Sequence, residues 1–131
     1  MKVTVDTNVL IRAVVRDDKR QADAAAKLLR SADLVAVAVS SLCELVWVLR
    51  RVYRFSAIDA ADAIRALIGA GNVAVDRPTV AAGLMMLDAG GDFADGVIAY
   101  EGRWLGAETF VSFDRKAVEM LRKKGQSVRL L

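Results

Sequence analysis

Met1-Lys2-Val3-Thr4-Val5-Asp6-Thr7-Asn8-Val9-Leu10 begins with a short alternating apolar run and ends it in a carboxylate, a hydroxyl and an amide. Val3 and Val5 are β-branched and suit a pleated, buried surface, whereas Asp6, Thr7 and Asn8 favour caps and turns. A first strand is therefore expected to stop near Asp6. Val9, Leu10, Ala13 and Val14 then recur at helical spacing, so Thr7 or Asn8 is expected to cap a helix that starts beside the Asp6 carboxylate. Ligands of open α/β sheets bind at the carboxyl ends of the strands, which makes Asp6 the first candidate site residue.

The rest of the chain repeats this alternation. A polar break at residues 16–20 precedes an amphipathic helix carrying Ala22, Ala25, Ala26, Leu28 and Leu29. Leu34 to Val39 is a continuous apolar run that suits a strand covered on both faces. Ser40 and Ser41 are expected to cap a long helix through Arg54, and Ser56 to cap the next, which Gly69 and Gly71 stop. Asn72 to Val75 reads as a strand, Pro78 opens a helix through Leu87, and Gly90-Gly91 is a break. Helix from Ala94 to Leu105, strand from Thr109 to Ser112, helix from Asp114 to Lys124 and strand from Ser127 to Leu131 complete the pattern. Such alternation predicts the α/β class: a three-layer α/β/α sandwich around a parallel sheet of about five strands. With 131 residues and no Pro/Gly-rich linker, residues 1–131 read as one domain.

Composition narrows the chemistry. A 55% hydrophobic and 27% charged chain is globular, and its formal charge of +3 gives only weak support to a polyanionic partner. Cys43 is alone, so no disulfide is available, and a buried thiol in a reducing compartment is the plain reading. Asp6 interrupts the first apolar run too early for a signal peptide or a membrane span, so a cytoplasmic protein is expected. Histidine is absent. Serine and cysteine nucleophile systems that need an imidazole, and histidine-ligated zinc, are thereby excluded. Hydrolytic chemistry has to run on carboxylates, with a hard, oxygen-ligated cation as the natural helper.

Four carboxylates fall at element junctions. Glu44 follows Ser41 by three residues, and this pair alone is explained by a capping box. Asp92 could cap the helix after Gly91, which Asp95 favours electrostatically, and Asp114 could cap the helix after the strand ending at Ser112. Asp6 resists the capping explanation, because Thr7 and Asn8 already serve it. Helices that follow strands of a parallel sheet start on one edge, so Asp6, Glu44, Asp95 and Asp114 are expected to converge there. Carboxylates so crowded repel one another unless a cation neutralises them. Mg²⁺ and Mn²⁺ prefer oxygen ligands and bridge carboxylates to phosphates.

At these residues the sequence resembles the PIN-domain nucleases, and within them the VapC-type ribonuclease toxins of toxin–antitoxin modules. The resemblance rests on Val5-Asp6-Thr7-Asn8-Val9-Leu10, Ser41-Leu42-Cys43-Glu44-Leu45, Asp92-Phe93-Ala94-Asp95-Gly96-Val97-Ile98-Ala99 and Phe110-Val111-Ser112-Phe113-Asp114, in this order across nearly the whole chain. It implies a Mg²⁺- or Mn²⁺-dependent endoribonuclease with Asp6, Glu44, Asp95 and Asp114 as the catalytic cluster. Asp6, Asp95 and Asp114 are the implied metal ligands, and Asn8 and Ser112 their hydrogen-bonding support, with Asp92 either a further acid or a helix cap. A VapB-like antitoxin and a homodimer are the implied partners. Gly96 stands where the family usually has Ala, which is expected to loosen the turn holding Asp95, since Gly in a helix costs about 1 kcal/mol relative to Ala.

Candidate substrate contacts are basic residues: Arg12, Arg16, Lys19 and Arg20 early, then Arg50, Arg51 and Arg54 on the third helix. Trp47, on one stripe with Glu44 and Arg51, is either core or an exposed anchor for the antitoxin peptide. Trp104 is expected in the core or at a homodimer contact. Two other classes fit less well. A phosphoacceptor receiver domain pairs two acids after its first strand and uses a late lysine, whereas Asp6 is followed by Thr7 and Asn8. A non-catalytic PIN-like module that binds RNA or protein has no need of all four acids.

Overall fold

Lys2–Thr4 forms β1 of the computed structural model, which describes all residues 1–131, and the helix α1 (Thr7–Val15) follows after two residues. The first unit, Met1–Asp76, continues with α2 (Lys19–Ser31), β2 (Leu34–Ala36), α3 (Val39–Arg51), α4 (Ala57–Ile68) and β3 (Val73–Ala74). Its sheet is parallel in the order β1-β2-β3, with Val3 opposite Val35 and Val35 opposite Val73. Val35 on the central strand is fully buried, as the continuous apolar run from Leu34 requires of a strand covered on both faces.

Small side chains let the first helices approach one another. Ala22 and Ala25 on α2 are buried, α2 packs on α1, and α1 packs on α3 through a core that includes Leu10, Leu42, Leu45 and Leu49. The last carbonyls of α2 have no intrahelical partner. The Asn72 amide, just before β3, donates to Leu29 O at 2.8 Å and to Ala32 O at 3.0 Å and so closes that helix end. Ser56 caps α4 as expected, accepting from Asp59 N at 3.0 Å.

The second unit, Arg77–Leu131, contains α5 (Arg77–Asp88), α6 (Phe93–Trp104), β4 (Phe110–Ser112), α7 (Arg115–Lys123) and β5 (Val128–Leu130). β4 and β5 pair in parallel across α7, with Phe110 opposite Val128 and Ser112 opposite Leu130. Helices α5 and α6 are pressed together because two glycines stand at their contact. A Cβ on Gly83 would meet the ring of the fully buried Phe93 at 2.6 Å, and one on Gly96 would meet Ala82 O at 2.4 Å. Gly96 therefore does not loosen the first turn of α6. It lets that turn lie against the backbone of α5, where a methyl group has no room.

The α/β class and the parallel pairing of five strands hold, with seven helices. One element of the expectation changes: the strands are divided into a three-stranded and a two-stranded sheet, one in each unit, and not joined in a single ladder of five. Each strand is only two or three residues long, so each ladder rests on two or three residue pairs. Cys43 forms no disulfide and is half-buried, not the buried thiol expected. Trp104 is 77% exposed and does not belong to the core. No helix is long and apolar enough to cross a membrane.

Candidate active site

In the first unit the end of β1 delivers two side chains. Asp6 has extended backbone and is itself the N-cap of α1, its carboxylate accepting from Thr7 N at 2.7 Å. Thr7 and Asn8 are not the cap, because the helix already includes them. Thr7 is buried, and its hydroxyl donates to Glu44 Oε2 at 2.9 Å. One threonine thus serves two acids, with its N–H on Asp6 and its O–H on Glu44. Asn8 is exposed on the next position and lines an open groove of about 510 Å³ with Arg12, Gln21 and Leu28.

Glu44 also departs from its structural explanation. Helix α3 starts at Val39, one turn earlier than a serine-capped helix would, and Ala38 at its N-cap makes no side-chain bond. Ser41 therefore lies inside the helix, and no capping box forms with Glu44. The apolar face of α3, with Leu42, Leu45, Val46 and Leu49, turns inward, and the glutamate is left exposed on the other side.

The second unit gathers Asp92, Asp95, Ser112 and Asp114. Asp92 caps α6, accepting from Ala94 N at 2.8 Å. Asp114 caps α7, accepting from Ala117 N at 3.1 Å, and its own N–H donates to the Ser112 hydroxyl at 2.9 Å. Both are exposed carboxylates with a helix end to serve. Asp95 in the first turn of α6 is half-buried and has no hydrogen-bond partner. Burial, then the charge of Asp92, then that of Asp114, push its carboxyl up to about 6. With Asp92 and Asp114 spent on caps, Asp95 is the one of these three aspartates without a helix end to serve.

These donors fit a hard divalent cation in kind: the side chains are oxygen-bearing, and like charges press on Asp95 where a cation would relieve them. No three acidic side chains are drawn together tightly enough to form a ready-made cage.

The basic residues divide into two kinds. Arg12 donates to Asp17 at 2.8 Å and Arg16 to Asp23 at 2.8 Å, with Lys19 on the same Asp23 at 2.7 Å. Their charge is largely answered within the unit, which weakens their case as phosphate contacts. Tyr53 donates to Asp17 at 3.0 Å and, with Arg12, holds that carboxyl below the usual range. Arg50 donates to Phe55 O at 3.1 Å, while Arg51 and Arg54 are exposed and make no ion pair. Trp47 is 58% exposed, so it is not a core residue. Sequence reading takes Thr7 only as a cap; its signal there is a hydroxyl between a carboxylate, Asp6, and an amide, Asn8.

The PIN domain profile matches residues 3–123, crossing from the first unit into the second. The chain belongs to the PIN-domain family, whose members are generally nucleases that require metal ions. No curated protein matches the chain.

Proposed function

We propose that this chain is a Mg²⁺- or Mn²⁺-dependent endoribonuclease, and that residues 1–131 act as one nuclease domain. The observation that carries the reading is Asp95: a carboxylate on a helix start, without a hydrogen bond, its pKa raised first by burial and then by two neighbouring acids. Keeping such a group unsatisfied costs stability, and metal binding is the use that explains it. Asp6 in the first unit and Asp95 and Asp114 in the second are the ligands that the resemblance implies. When bound, the ion lowers the pKa of a water and stabilises the leaving oxygen of the phosphodiester.

The chain's own groups do the rest. Asp6 and Asp114 are fixed by the helix N–H groups they accept, which sets the direction of their outer oxygens. Ser112 fixes the backbone of Asp114, and Asn8 offers an amide at the mouth of the groove beside α1. Thr7 orients Glu44 by holding Oε2, which leaves Oε1 to accept the proton of the attacking water. In this reading the products are a 5′-phosphate and a 3′-hydroxyl, the ends that attack by water at the phosphodiester leaves. The finer assignment, a VapC-type toxin paired with a VapB-like antitoxin and forming a homodimer in the cytoplasm, is supported by the order and spacing of the four acidic motifs.

The test is cleavage of a mixed structured RNA pool by protein free of bound peptide, with Mg²⁺ or Mn²⁺ against EDTA, comparing wild type with Asp95→Asn. Metal-dependent cutting that disappears in the variant is the expected result. Folded protein that cuts nothing with either metal would replace the nuclease reading with a non-catalytic PIN-like binding module.

A further inference from the structure

Helix α3 displays an ordered stripe on its exposed side. Glu44, Trp47 and Arg51 are spaced i, i+3 and i+7, so they share one face while Leu42, Leu45, Val46 and Leu49 occupy the other. At helical rise, Arg51 lies about 10 Å along the axis from Glu44, with the indole between them. One end of the stripe carries an acid held by Thr7, the other a guanidinium without an ion pair.

Charge identifies what this face takes. Between Leu45 and Ile58 there are three arginines and no carboxylate. The contrast with α1 and α2 is informative, because there Arg12, Arg16 and Lys19 are answered by Asp17 and Asp23. Arg50 spends a donor on Phe55 O and thereby ties down the turn after α3. Arg54 in that turn has a φ of 60°, a left-handed conformation that glycine or asparagine would adopt more easily. A lone exposed indole is unremarkable on a protein surface. An exposed indole one turn from unpaired guanidinium groups, on the same face as a proposed catalytic acid, selects a polyanion that also has flat π faces.

We propose that the Glu44–Trp47–Arg51 face of α3 is a track for single-stranded RNA, on which a base next to the scissile phosphate stacks on Trp47 and the following phosphates meet Arg51 and Arg54. The assignment of RNA rests on the ribonuclease reading above. Stacking requires an unpaired base, so the track selects loops and unpaired stretches over duplex. It is tolerant of sequence, because every base has a π face.

The experiment separates the track from the nuclease reading. In a Trp104→Phe background Trp47 is the sole indole, and its fluorescence is followed in EDTA during titration with a short unstructured RNA, a duplex of the same sequence, and an acidic peptide. Saturable quenching by the single strand is expected, with weaker quenching by duplex. In labelled-RNA anisotropy, Trp47→Ala should weaken binding roughly 10-fold and Trp47→Phe much less, by the usual worth of a stacked base. Arg51→Gln should reduce the salt slope of binding by about one. Equal binding by wild type and Trp47→Ala, or no binding of RNA by wild type, overturns the track whether or not the protein cuts RNA. Quenching by the peptide alone overturns it in favour of a protein partner. Trp47-dependent binding without cleavage keeps the track and removes the nuclease reading.

Discussion

Asp95 sits where its charge is resisted, and the consequence is measurable. An aspartate free in water releases its proton near 3.8, whereas in this fold Asp95 holds it to about 6. Between those values the folded protein keeps the proton and the unfolded chain has lost it, so stability falls as pH rises from about 4 to about 6 and stays lower above. Because the carboxyl is only half-buried, solvent screening reduces the effect to about 1 kcal/mol. Asp95→Asn should accordingly melt roughly 3 °C above wild type at pH 7, with the difference vanishing at pH 4, as read by calorimetry across pH. Mg²⁺ should raise the melting temperature of wild type at pH 7 but not that of the variant, since only a group that binds the ion in the folded state shifts the equilibrium. A variant that melts as wild type at every pH would show that the carboxylate is not held against its charge. Asp6, Asp92 and Asp114 differ from Asp95 in kind, since each serves a helix end. Sequence could name all four acids, but which of them cap is decided by where each helix begins.

The helix contacts carry the next predictions. Gly96→Ala gains about 1 kcal/mol of helix propensity in isolation, yet its methyl would collide with Ala82 O. A clash with backbone cannot be relieved by a rotamer change, so the net effect should be a loss of about 2 kcal/mol, seen as a lower urea midpoint at unchanged m. An unchanged midpoint would mean that α5 and α6 are not so closely pressed. Thr7→Val keeps the volume of a buried side chain and removes only the hydroxyl between α1 and α3. The exposed Glu44 can be rehydrated, so the expected loss is about 1 kcal/mol in the same measurement, and cleavage should fall as Glu44 loses its orientation. At this scale periodicity found every helix, but α3, expected to run through Arg54, ends at Arg51. Glycine spacing could not reveal its purpose, because a close approach between α5 and α6 is a property of two segments and not of one.

For the whole molecule, the ends of the product report the chemical route of the proposed cleavage. RNA cut by wild type with Mn²⁺ should carry 5′-phosphates that accept no further label until dephosphorylated, and cutting should cease in EDTA. Recovery of 2′,3′-cyclic phosphate ends would exclude the metal-activated water. The family match runs through both compact units, consistent with acidic motifs placed in each half of the chain.

By itself the sequence determined the α/β class, the order of the elements and the family, and it named four candidate acids. These follow from local periodicity, cap and turn chemistry and motif spacing, all of which are written along the chain. Tertiary structure alone decided that Asp6 caps its own helix, that Thr7 holds Glu44, that Trp47 and Trp104 face solvent, and that Gly96 is a packing requirement. Each of these depends on which surfaces meet, and the free energy of a buried contact or an unpaired charge is set by its neighbours in space, which residue order does not specify.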